Sequence, residues 1–374
     1  MPKLAIILTH PIQYYSPLFV QMAQEKGFVL KVFYTFSQSQ EKLYDKDFGR
    51  EIKWDIPLLE GYEYKFVANE AKHPSLSSFR GIQNPTLIKS IENWGATHVL
   101  VFGWNYQSHL RAMVHFKGRI PVLFRGDSTL LGERPGIKKV LRRVFLSLVY
   151  HFVDRALYVG TNNKNYFLKH GVKEKQLTFT PHAIDNGRFL KRDESEIIAW
   201  RTKNNIPLEN IIVSYAGKLD ENKNVQLIID TAKELTRNDI TFVIIGNGIK
   251  ETELKEQCLF LQNIQFHPFA NQSEMPLLYS VCDIFCLPSH LETWGLAINE
   301  AMASGKCVIT TPNVGCAVDL VKEANGYIIR SAVELTMLLS HIDIKTIRIK
   351  GENSRRVIVD WSFEKISNNI AKAL

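Results

Sequence analysis

One segment constrains the fold of this chain more than any other: residues 278–305, which read LYSVCDIFCLPSHLETWGLAINEAMASG. The segment predicts a buried strand over 283–287, a short polar loop, and a helix that starts near Trp294 or Gly295. Glu292 lies just before this helix, and Glu300 lies inside it, eight positions further along. A strand followed by a loop and a helix is half of a βαβ unit, so the segment predicts an α/β fold with a parallel sheet.

The start of the predicted helix has the chemistry of an anion site. Helix N-termini present free N–H groups and a partial positive charge, which together bind phosphate. Gly295 in this region would let the backbone and a ligand approach closely. Glu300 shares its helix face with apolar residues that point toward the sheet, where a carboxylate is costly unless it receives hydrogen bonds. A pair of ribose hydroxyls would supply these hydrogen bonds. The alternative is that Glu292 and Glu300 have only a structural role, which is the usual explanation for two glutamates at this spacing near a helix.

Apolar runs alternate with helix-like stretches along the whole chain, which favours two parallel-sheet domains. The predicted strands are 4–8, 30–36, 97–102, 122–124 and 156–159 in the first half, and 211–215, 241–245, 283–287 and 307–309 in the second. A polar interval around 186–205 separates the two sets. We therefore predict one domain over 1–190 and another over 200–360.

Composition narrows the class of protein further. The chain has 374 residues, of which 45% are hydrophobic and 22% charged, as in an ordinary globular enzyme. No apolar run approaches the ~18 residues that span a bilayer, and residues 1–10 read as a buried strand rather than a signal peptide. The five cysteines form no C-x-x-C pair, which favours reduced, buried thiols in a cytoplasmic protein.

The positive charge is concentrated in the first half of the chain. Residues 1–195 contain 28 Lys and Arg against 17 Asp and Glu, whereas the remainder contains 18 against 21. This asymmetry indicates that the first domain meets something anionic. Residues 138–150 mix basic and bulky apolar residues at helical spacing, which fits either a core helix with a solvated basic edge or a surface that docks on anionic lipid headgroups. No nucleic-acid-binding motif is present, so a nucleic-acid partner is not expected.

The turn after strand 211–215 carries two cations. Lys218 and Lys223 are five positions apart around Gly217, a spacing that can close on a diphosphate from two sides, although a solvated charged loop has the same composition. Gly246 and Gly248 follow strand 241–245, but Glu251 occupies the third glycine position of a dinucleotide fingerprint. A tight turn beside a nucleotide is the better interpretation.

Taken together, the strand, Pro-Ser, Glu292, the aromatic-Gly-Leu run, Glu300 and the Ala-Met-Ala-small-Gly sequence resemble the donor-binding signature of retaining GT-B glycosyltransferases of family 4. The resemblance implies two Rossmann-like domains whose parallel sheets face a central cleft, with the tail 361–374 crossing back onto the first domain. It also implies a nucleotide diphosphate sugar as donor, UDP- or GDP-linked, and a glycan or lipid-linked acceptor in surface polysaccharide or glycolipid assembly. Neither a cofactor nor a metal is expected. The predicted location is cytoplasmic, with a peripheral position on the membrane left open.

The same resemblance assigns roles to residues. Glu292 would hold the donor sugar, and Glu300 the ribose. The remaining donor-binding residues would be Gly217, Lys218, Lys223, Thr293, Trp294, Gly295 and Leu296. Lys218 stands where many relatives have arginine, so bidentate phosphate contact is in doubt. The segment 264–270 resembles the one whose backbone recognises the base.

The first domain departs from the family pattern. It has His10 and Gln13 after strand 4–8 in place of a glycine-rich loop, and these residues either contact acceptor or phosphate or simply pack the turn. After strand 122–124, where relatives often place a histidine, this chain has Arg125 and Asp127. We predict that Asp127 contacts the donor sugar as a catalytic residue and that Arg125 meets an anionic acceptor.

Several alternatives remain open from the sequence. A GT-B nucleotide-sugar epimerase, or a non-catalytic protein that binds sugars or lipid surfaces, would use the same nucleotide residues. His267 and His290 have no partner at metal-ligand spacing and are expected to be surface or core residues. Asp45 and Asp47 form a D-x-D triplet, but no strand leads into it, so we assign it no role.

Overall fold

The structure is a computed structural model that describes residues 1–25, 27–40, 43–45, 50–52, 54–133, 135–191 and 193–374. The chain divides into two compact units. Unit 1 comprises Met1–Leu43, Ile56–His182 and Phe363–Leu374, and unit 2 comprises Tyr44–Asp55 and Ala183–Ser362. The C-terminal helix therefore belongs to unit 1, where the side-chain amide of Asn369 donates a hydrogen bond of 2.8 Å to the carbonyl of Phe179.

The strands are β1 Lys3–Leu8, β2 Val29–Tyr34, β3 Leu43–Asp45, β4 Arg50–Ile52, β5 Glu63–Phe66, β6 His98–Phe102, β7 Val122–Arg125, β8 Arg155–Tyr158, β9 Leu177–Phe179, β10 Ile211–Ala216, β11 Ile240–Ile245, β12 Ile264–His267, β13 Ile284–Leu287, β14 Cys307–Thr310 and β15 Gly326–Ile328. The α-helices are α1 Ser16–Gln24, α2 Leu87–Trp94, α3 Gln107–Phe116, α4 Ile137–His151, α5 Thr161–Lys169, α6 Asn186–Leu190, α7 Glu194–Lys203, α8 Gln226–Glu234, α9 Glu251–Glu256, α10 Met275–Val281, α11 Leu296–Ala303, α12 Ala317–Leu320, α13 Ala332–His341, α14 Ile344–Ile358 and α15 Phe363–Ala371. Short 3-10 helices cover Ser37–Gln40, Phe79–Gly81 and Glu174–Gln176.

Unit 1 is built on a seven-stranded sheet in the order β5-β2-β1-β6-β7-β8-β9. All of its paired strands run parallel. The chain builds outward from β1 in one direction and then from β6 in the other, so the strand order reverses between β1 and β6. In open α/β sheets, ligands bind beyond the carboxyl ends of the strands at this switch point.

Unit 2 repeats the plan with six parallel strands in the order β12-β11-β10-β13-β14-β15. Its order reverses between β10 and β13. The four inner strands, β11, β10, β13 and β14, are buried along their whole length. Helices on both faces of a parallel sheet exclude water from both sides of its inner strands, and this is why these strands read as unbroken apolar runs.

The predicted α/β fold with parallel sheets is confirmed. Each of the nine predicted strands has a counterpart, with ends shifted by no more than two residues. The helix expected from Trp294 or Gly295 begins at Leu296 instead, because Gly295 is its N-cap and adopts a left-handed conformation with φ of 96°. All five cysteines are free and buried, as expected. None of the helices in the described parts of the chain is long and apolar enough to cross a membrane.

Candidate functional site

The loops that follow β10 and β13 meet at the switch point of unit 2. The backbone N–H of His290 donates to the carbonyl of Asn222 at 2.8 Å, and the Asn222 side chain donates to the carbonyl of Leu291 at 2.7 Å. Asn224 adds a third bond, from its side-chain amide to the carbonyl of Pro288 at 3.2 Å. The two loops are thereby fixed side by side, which brings the lysine turn and the glutamate loop into one site.

Lys223 and Glu292 form an ion pair across these loops. Both side chains are mostly buried, at 23% and 15% exposed. The Ser289 hydroxyl also donates to the Glu292 carboxylate, at 3.2 Å. The ammonium and the carboxylate fix each other's position. A ligand that carries both an anionic group and hydroxyls could therefore bind the cation through the former and the carboxylate through the latter.

Two glycine turns bring backbone segments close together beside this pair. A Cβ on Gly246 would lie 1.9 Å from the carbonyl oxygen of Gly217, and one on Gly248 would lie 2.3 Å from that of Leu219. The Gly217 N–H in turn donates to the Ile245 carbonyl at 3.0 Å. The G-x-G sequence is therefore required by the packing of one strand-end loop on its neighbour, which agrees with a tight turn.

The loop before α11 is held from both sides. A Cβ on Gly295 would meet Val314 at 2.8 Å and Leu287 at 3.1 Å, in addition to the strain of its positive φ. The Trp294 indole donates to Asn299 at 2.9 Å and packs on Trp361 with ring centroids 5.0 Å apart. Because its flanks are fixed in this way, the N-terminus of α11 presents its N–H groups and its positive dipole end in a constant direction.

Glu300 lies on the buried side of α11 and is 3% exposed. The hydroxyl of Tyr279, on α10, donates a hydrogen bond of 2.8 Å to its carboxylate. A buried carboxylate is costly unless hydrogen bonds stabilise it, and Tyr279 supplies one. Sequence reasoning missed Tyr279. It stands in the same motif segment, but nothing in the spacing of the residues reveals the contact.

Lys218, Thr293 and Leu296 complete the predicted donor set. The carbonyl of Lys218 accepts a hydrogen bond of 2.6 Å from the buried Tyr215 hydroxyl, which fixes the turn that carries the lysine. Thr293 is exposed in the loop, and Leu296 is the first residue of α11. The predicted donor-side residues thus lie in the loops that follow β10 and β13, except Leu296 and Glu300, which lie in α11.

A second group lies at the end of β12, in the segment 264–270. The Phe269 N–H donates to the Asn247 side chain at 2.6 Å, and the Phe269 ring packs against Trp54 with centroids 6.2 Å apart. Asp55, the neighbour of Trp54, accepts hydrogen bonds of 3.2 Å from the Ser273 N–H. Trp54 is far away in sequence, so no local pattern indicates that it reaches this edge.

In unit 1, Arg125 is an interior residue. It is 2% exposed and donates to the Thr180 hydroxyl at 2.5 Å, to the Thr180 carbonyl at 2.8 Å and to the Pro181 carbonyl at 3.1 Å. Burial lowers the pKa of Arg125, although the nearby Tyr15 and Asp127 oppose this shift. The geometry assigns Arg125 to fixing the loop after β9, and its predicted contact with an acceptor stays a prediction.

Asp127 lies within electrostatic reach of Arg125, Tyr15 and His182. His182 packs parallel to Tyr15 with ring centroids 6.2 Å apart. Burial and then the Arg125 charge lower the pKa of His182 to about 4, against the effect of Asp127. His182 follows β9, and sequence reasoning did not single it out because no strand was predicted there.

His10 and Gln13 follow β1 at the switch point of unit 1. The His10 ring lies 2.9 Å from the Thr9 hydroxyl, and burial lowers its pKa to about 4, so the imidazole is neutral at pH 7. Gln13 lies in the turn that leads into α1 and is partly buried. Both residues stand where a ligand of unit 1 would bind.

The remaining polar candidates do not gather into a metal site. His267 packs against Trp200 with centroids 4.9 Å apart, and His290 is exposed. Asp47 of the D-x-D triplet lies outside the described residues. Within the described ranges, no group of three or more His, Cys, Asp or Glu side chains could hold a metal ion.

Two Rossmann-like units with parallel sheets of seven and six strands define the GT-B fold, which this chain has. Residues 196–343, which contain the whole site of unit 2, match the model of the family described as Glycosyl transferases group 1.

The chain is similar to the O-antigen biosynthesis glycosyltransferase WclY of Escherichia coli, with 25% identity over 179 residues, 47% of this chain and 48% of that one. It is also similar to the N,N'-diacetylbacillosaminyl-diphospho-undecaprenol alpha-1,3-N-acetylgalactosaminyltransferase of Campylobacter jejuni, with 26% identity over 50% of this chain and 49% of that one. Among solved structures, Anabaena Alr3699/HepE in complex with UDP and glucose superposes with a TM-score of 0.73 and 18% identity, covering 100% of this chain and 99% of that one.

The first curated relatives are matched over only part of their length, between 33% and 59%. The Anabaena structure shares the fold of this chain, but its sequence identity of 18% is too low to indicate a shared activity or substrate.

Proposed function

We propose that this chain is a retaining glycosyltransferase of GT-B family 4 type. It transfers a sugar from a nucleotide diphosphate sugar to a hydroxyl group of a glycan or lipid-linked acceptor. Surface polysaccharide or glycolipid assembly is the proposed setting, at the cytoplasmic face of the membrane. The names of the two curated relatives and the UDP bound in the Anabaena structure support this choice.

One observation supports the proposal: the loops after β10 and β13, which carry Lys223 and Glu292, are bonded to each other at the switch point of unit 2, and α11, which carries Glu300, follows the second loop directly. Lys223 is paired across the loops after β10 and β13 with Glu292, which lies three residues before the N-cap of α11. Glu300 and Tyr279 form a buried hydrogen-bonded pair on the inner face of the helix. A cation, a helix dipole and two carboxylates suit a diphosphate flanked by two sets of hydroxyls.

In the proposed reaction, the bond between the anomeric carbon and the diphosphate breaks through an oxocarbenium-like transition state. Negative charge develops on the departing diphosphate. Lys218, Lys223 and the N–H groups at the start of α11 stabilise it. Because these donors are fixed by the surrounding loops, little reorganisation is needed as the charge appears. The proposed reaction requires no metal.

The two glutamates would hold the ends of the donor. Glu292 accepts hydrogen bonds from the sugar hydroxyls, while its pairing with Lys223 couples the sugar position to the diphosphate position. Glu300 accepts from the ribose, with Tyr279 orienting the carboxylate. Retention of configuration would follow if the departing phosphate removes the acceptor proton on the same face of the sugar. Asp127 is proposed to contact the donor sugar.

The experiment is a two-stage screen. Thermal shift across UDP-, GDP- and ADP-sugars first identifies the donor, and the best donor is then incubated with glycan and lipid-linked acceptors. The expected result is a rise in melting temperature with one donor class, followed by a new glycosidic bond whose anomeric proton coupling matches that of the donor. Inverted coupling would reject the retaining mechanism while leaving the transferase assignment in place.

The same incubations separate the alternatives. Conversion of the nucleotide sugar without acceptor, giving a second nucleotide sugar, would identify an epimerase. Binding without turnover across all acceptors would favour a sugar-binding protein. A matched control variant is Phe260→Ala, because Phe260 is 95% exposed and far in sequence from the strand-end loops. This variant is expected to behave like the wild type.

A further inference from the structure

Helix α4 carries apolar side chains on its outer face. Five aliphatic residues form what we call the α4 stripe: Ile137, Val140, Leu141, Val144 and Leu148. They are 58% to 76% exposed. Their spacing of three and four residues places them on one side of the helix. In soluble proteins the apolar side of a surface helix normally faces the core. The exposure of the α4 stripe to solvent therefore needs an explanation.

The core-facing side of α4 is a different one. Leu146, Val149 and Tyr150 are buried, and they pack the C-terminal half of the helix into unit 1. These residues lie about half a helical turn away from the α4 stripe. The helix therefore packs into the core through a different face, and the α4 stripe is not needed for that packing.

Basic residues border the α4 stripe on both sides. At 100° per residue, Lys138 lies between the stripe and the core face on one side, and Arg143 lies between them on the other, whereas Arg142 and Lys139 lie on the core-facing side of the helix. Lys138, Arg142 and Arg143 are exposed, whereas Lys139 pairs with Glu133 at 2.9 Å. An apolar stripe with cations along both edges is the arrangement that an interfacial helix presents to a bilayer.

We propose that α4 is a docking surface for an anionic lipid bilayer. The stripe inserts among the acyl chains near the headgroups, and the bordering cations reach the lipid phosphates. Long basic side chains can extend their apolar stems along the stripe while their charged ends remain hydrated, which suits this depth. The excess of basic residues in 1–195 adds a longer-range attraction to the same surface.

Other occupants fit less well. In a twofold dimer through α4, each stripe would face its own copy, and the basic borders of the two copies would repel each other. A single-stranded nucleic acid would use several aromatic side chains for base stacking, but Phe145 is the one aromatic residue among the exposed large apolar side chains of α4. The proposal concerns a surface of unit 1 alone and does not depend on the proposed glycosyl transfer.

The test is co-sedimentation of the full chain, without any nucleotide, with vesicles of pure phosphatidylcholine or of phosphatidylcholine with phosphatidylglycerol. The wild type is expected to bind the anionic vesicles, and more weakly at high salt. The double variant Leu141→Asp, Leu148→Asp should lose at least about tenfold in partition coefficient on anionic vesicles. Lys138→Glu with Arg143→Glu should lose a similar factor on anionic vesicles and little on neutral ones.

Matched controls use exposed residues elsewhere. Leu259→Asp with Phe260→Asp removes side chains that are 72% and 95% exposed in unit 2, and Lys173→Glu with Lys175→Glu reverses two exposed charges in unit 1. Both should bind vesicles like the wild type, and all variants should melt within a few degrees of it. The proposal is overturned if the wild type does not bind anionic vesicles, or if the stripe variant binds as the wild type does. It is also overturned if light scattering shows a dimer that the stripe variant abolishes.

Discussion

Replacing Glu300 by alanine removes a carboxylate that is 3% exposed and accepts a 2.8 Å hydrogen bond from Tyr279. If the carboxylate also binds the ribose, the loss includes a charge-assisted hydrogen bond, which contributes about 1.5–3 kcal/mol. Since ~1.4 kcal/mol corresponds to a factor of ten, Glu300→Ala should lower kcat/KM for the donor, or raise its KM, roughly 10- to 200-fold. The Tyr279 hydroxyl, left without this acceptor, should cost about 1–3 kcal/mol of unfolding free energy.

The assay that isolates the ribose contact is calorimetric titration with a nucleoside diphosphate and with its 2',3'-dideoxy form. The wild type should prefer the hydroxylated form by roughly 10- to 200-fold, and Glu300→Ala should bind both forms equally. Affinity for inorganic pyrophosphate should not change. Tyr279→Phe is the matched control, because it removes the supporting hydroxyl and keeps the carboxylate, so most of the preference should remain. A Glu300→Ala protein that still discriminates between the two nucleotides would refute the ribose role.

The remaining predictions concern the diphosphate, the interior of unit 1, the glycine turn and pH. Lys223→Ala should weaken binding of UDP or GDP and also of pyrophosphate by roughly tenfold or more, measured by titration calorimetry; unchanged binding would contradict the diphosphate contact. Arg125→Met should lower the unfolding free energy by several kcal/mol, measured by denaturant titration, while nucleotide affinity stays unchanged; a stable variant with impaired acceptor use would instead support the acceptor contact. Gly246→Ala, with its 1.9 Å clash, should destabilise far more than Gly136→Ala, which has a similar positive φ but open space around its Cβ. Burial lowers the pKa of His109 to about 4, so between about pH 6.5 and 4 the unfolded chain binds a proton at this residue that the folded chain does not. The contribution of His109 to stability is therefore full above about pH 6.5 and falls by about 1.4 kcal/mol per pH unit as the pH drops toward 4, and His109→Gln should make the pH dependence of thermal melts less steep by that amount.

Sequence reasoning missed β3 and β4, which pair with each other in a separate two-stranded sheet, and four further strands that share one position in the fold. β5 and β9 are the edges of the unit 1 sheet, and β12 and β15 are the edges of the unit 2 sheet. Each is three or four residues long and partly exposed. An inner parallel strand is covered on both faces and reads as an apolar run, whereas an edge strand is half solvated and carries polar residues. Apolar runs therefore identify the middle of such a sheet better than its edges.

The location of the site in unit 2 could be predicted because it depends on topology. The carboxyl ends of parallel strands lie at the same edge of the sheet. Motifs that directly follow the neighbouring strands β10 and β13 therefore lie close together for any conformation of the loops. The contacts within the site could not be predicted in the same way. The ion pair between Lys223 and Glu292 depends on the conformations of two loops, and the hydrogen bond from Tyr279 to Glu300 depends on side-chain rotamers. Trp54, which packs against Phe269, is more than 200 residues away from it in sequence.

Arg125 shows how a shift of one residue at a strand end changes the interpretation of a charge. The sequence predicts a strand over 122–124, which would leave Arg125 in the loop and available to a ligand. In the structure, β7 extends through Arg125. The side chain therefore lies against the loop after β9, and its guanidinium donates hydrogen bonds to the carbonyls of Thr180 and Pro181. Lys218 and Lys223 lie two and seven residues beyond the end of β10, where the sheet no longer constrains them. A charge at a strand end is thus a candidate for ligand binding only when the strand has ended before it, and in unit 1 this condition is met by Asp127 rather than by Arg125.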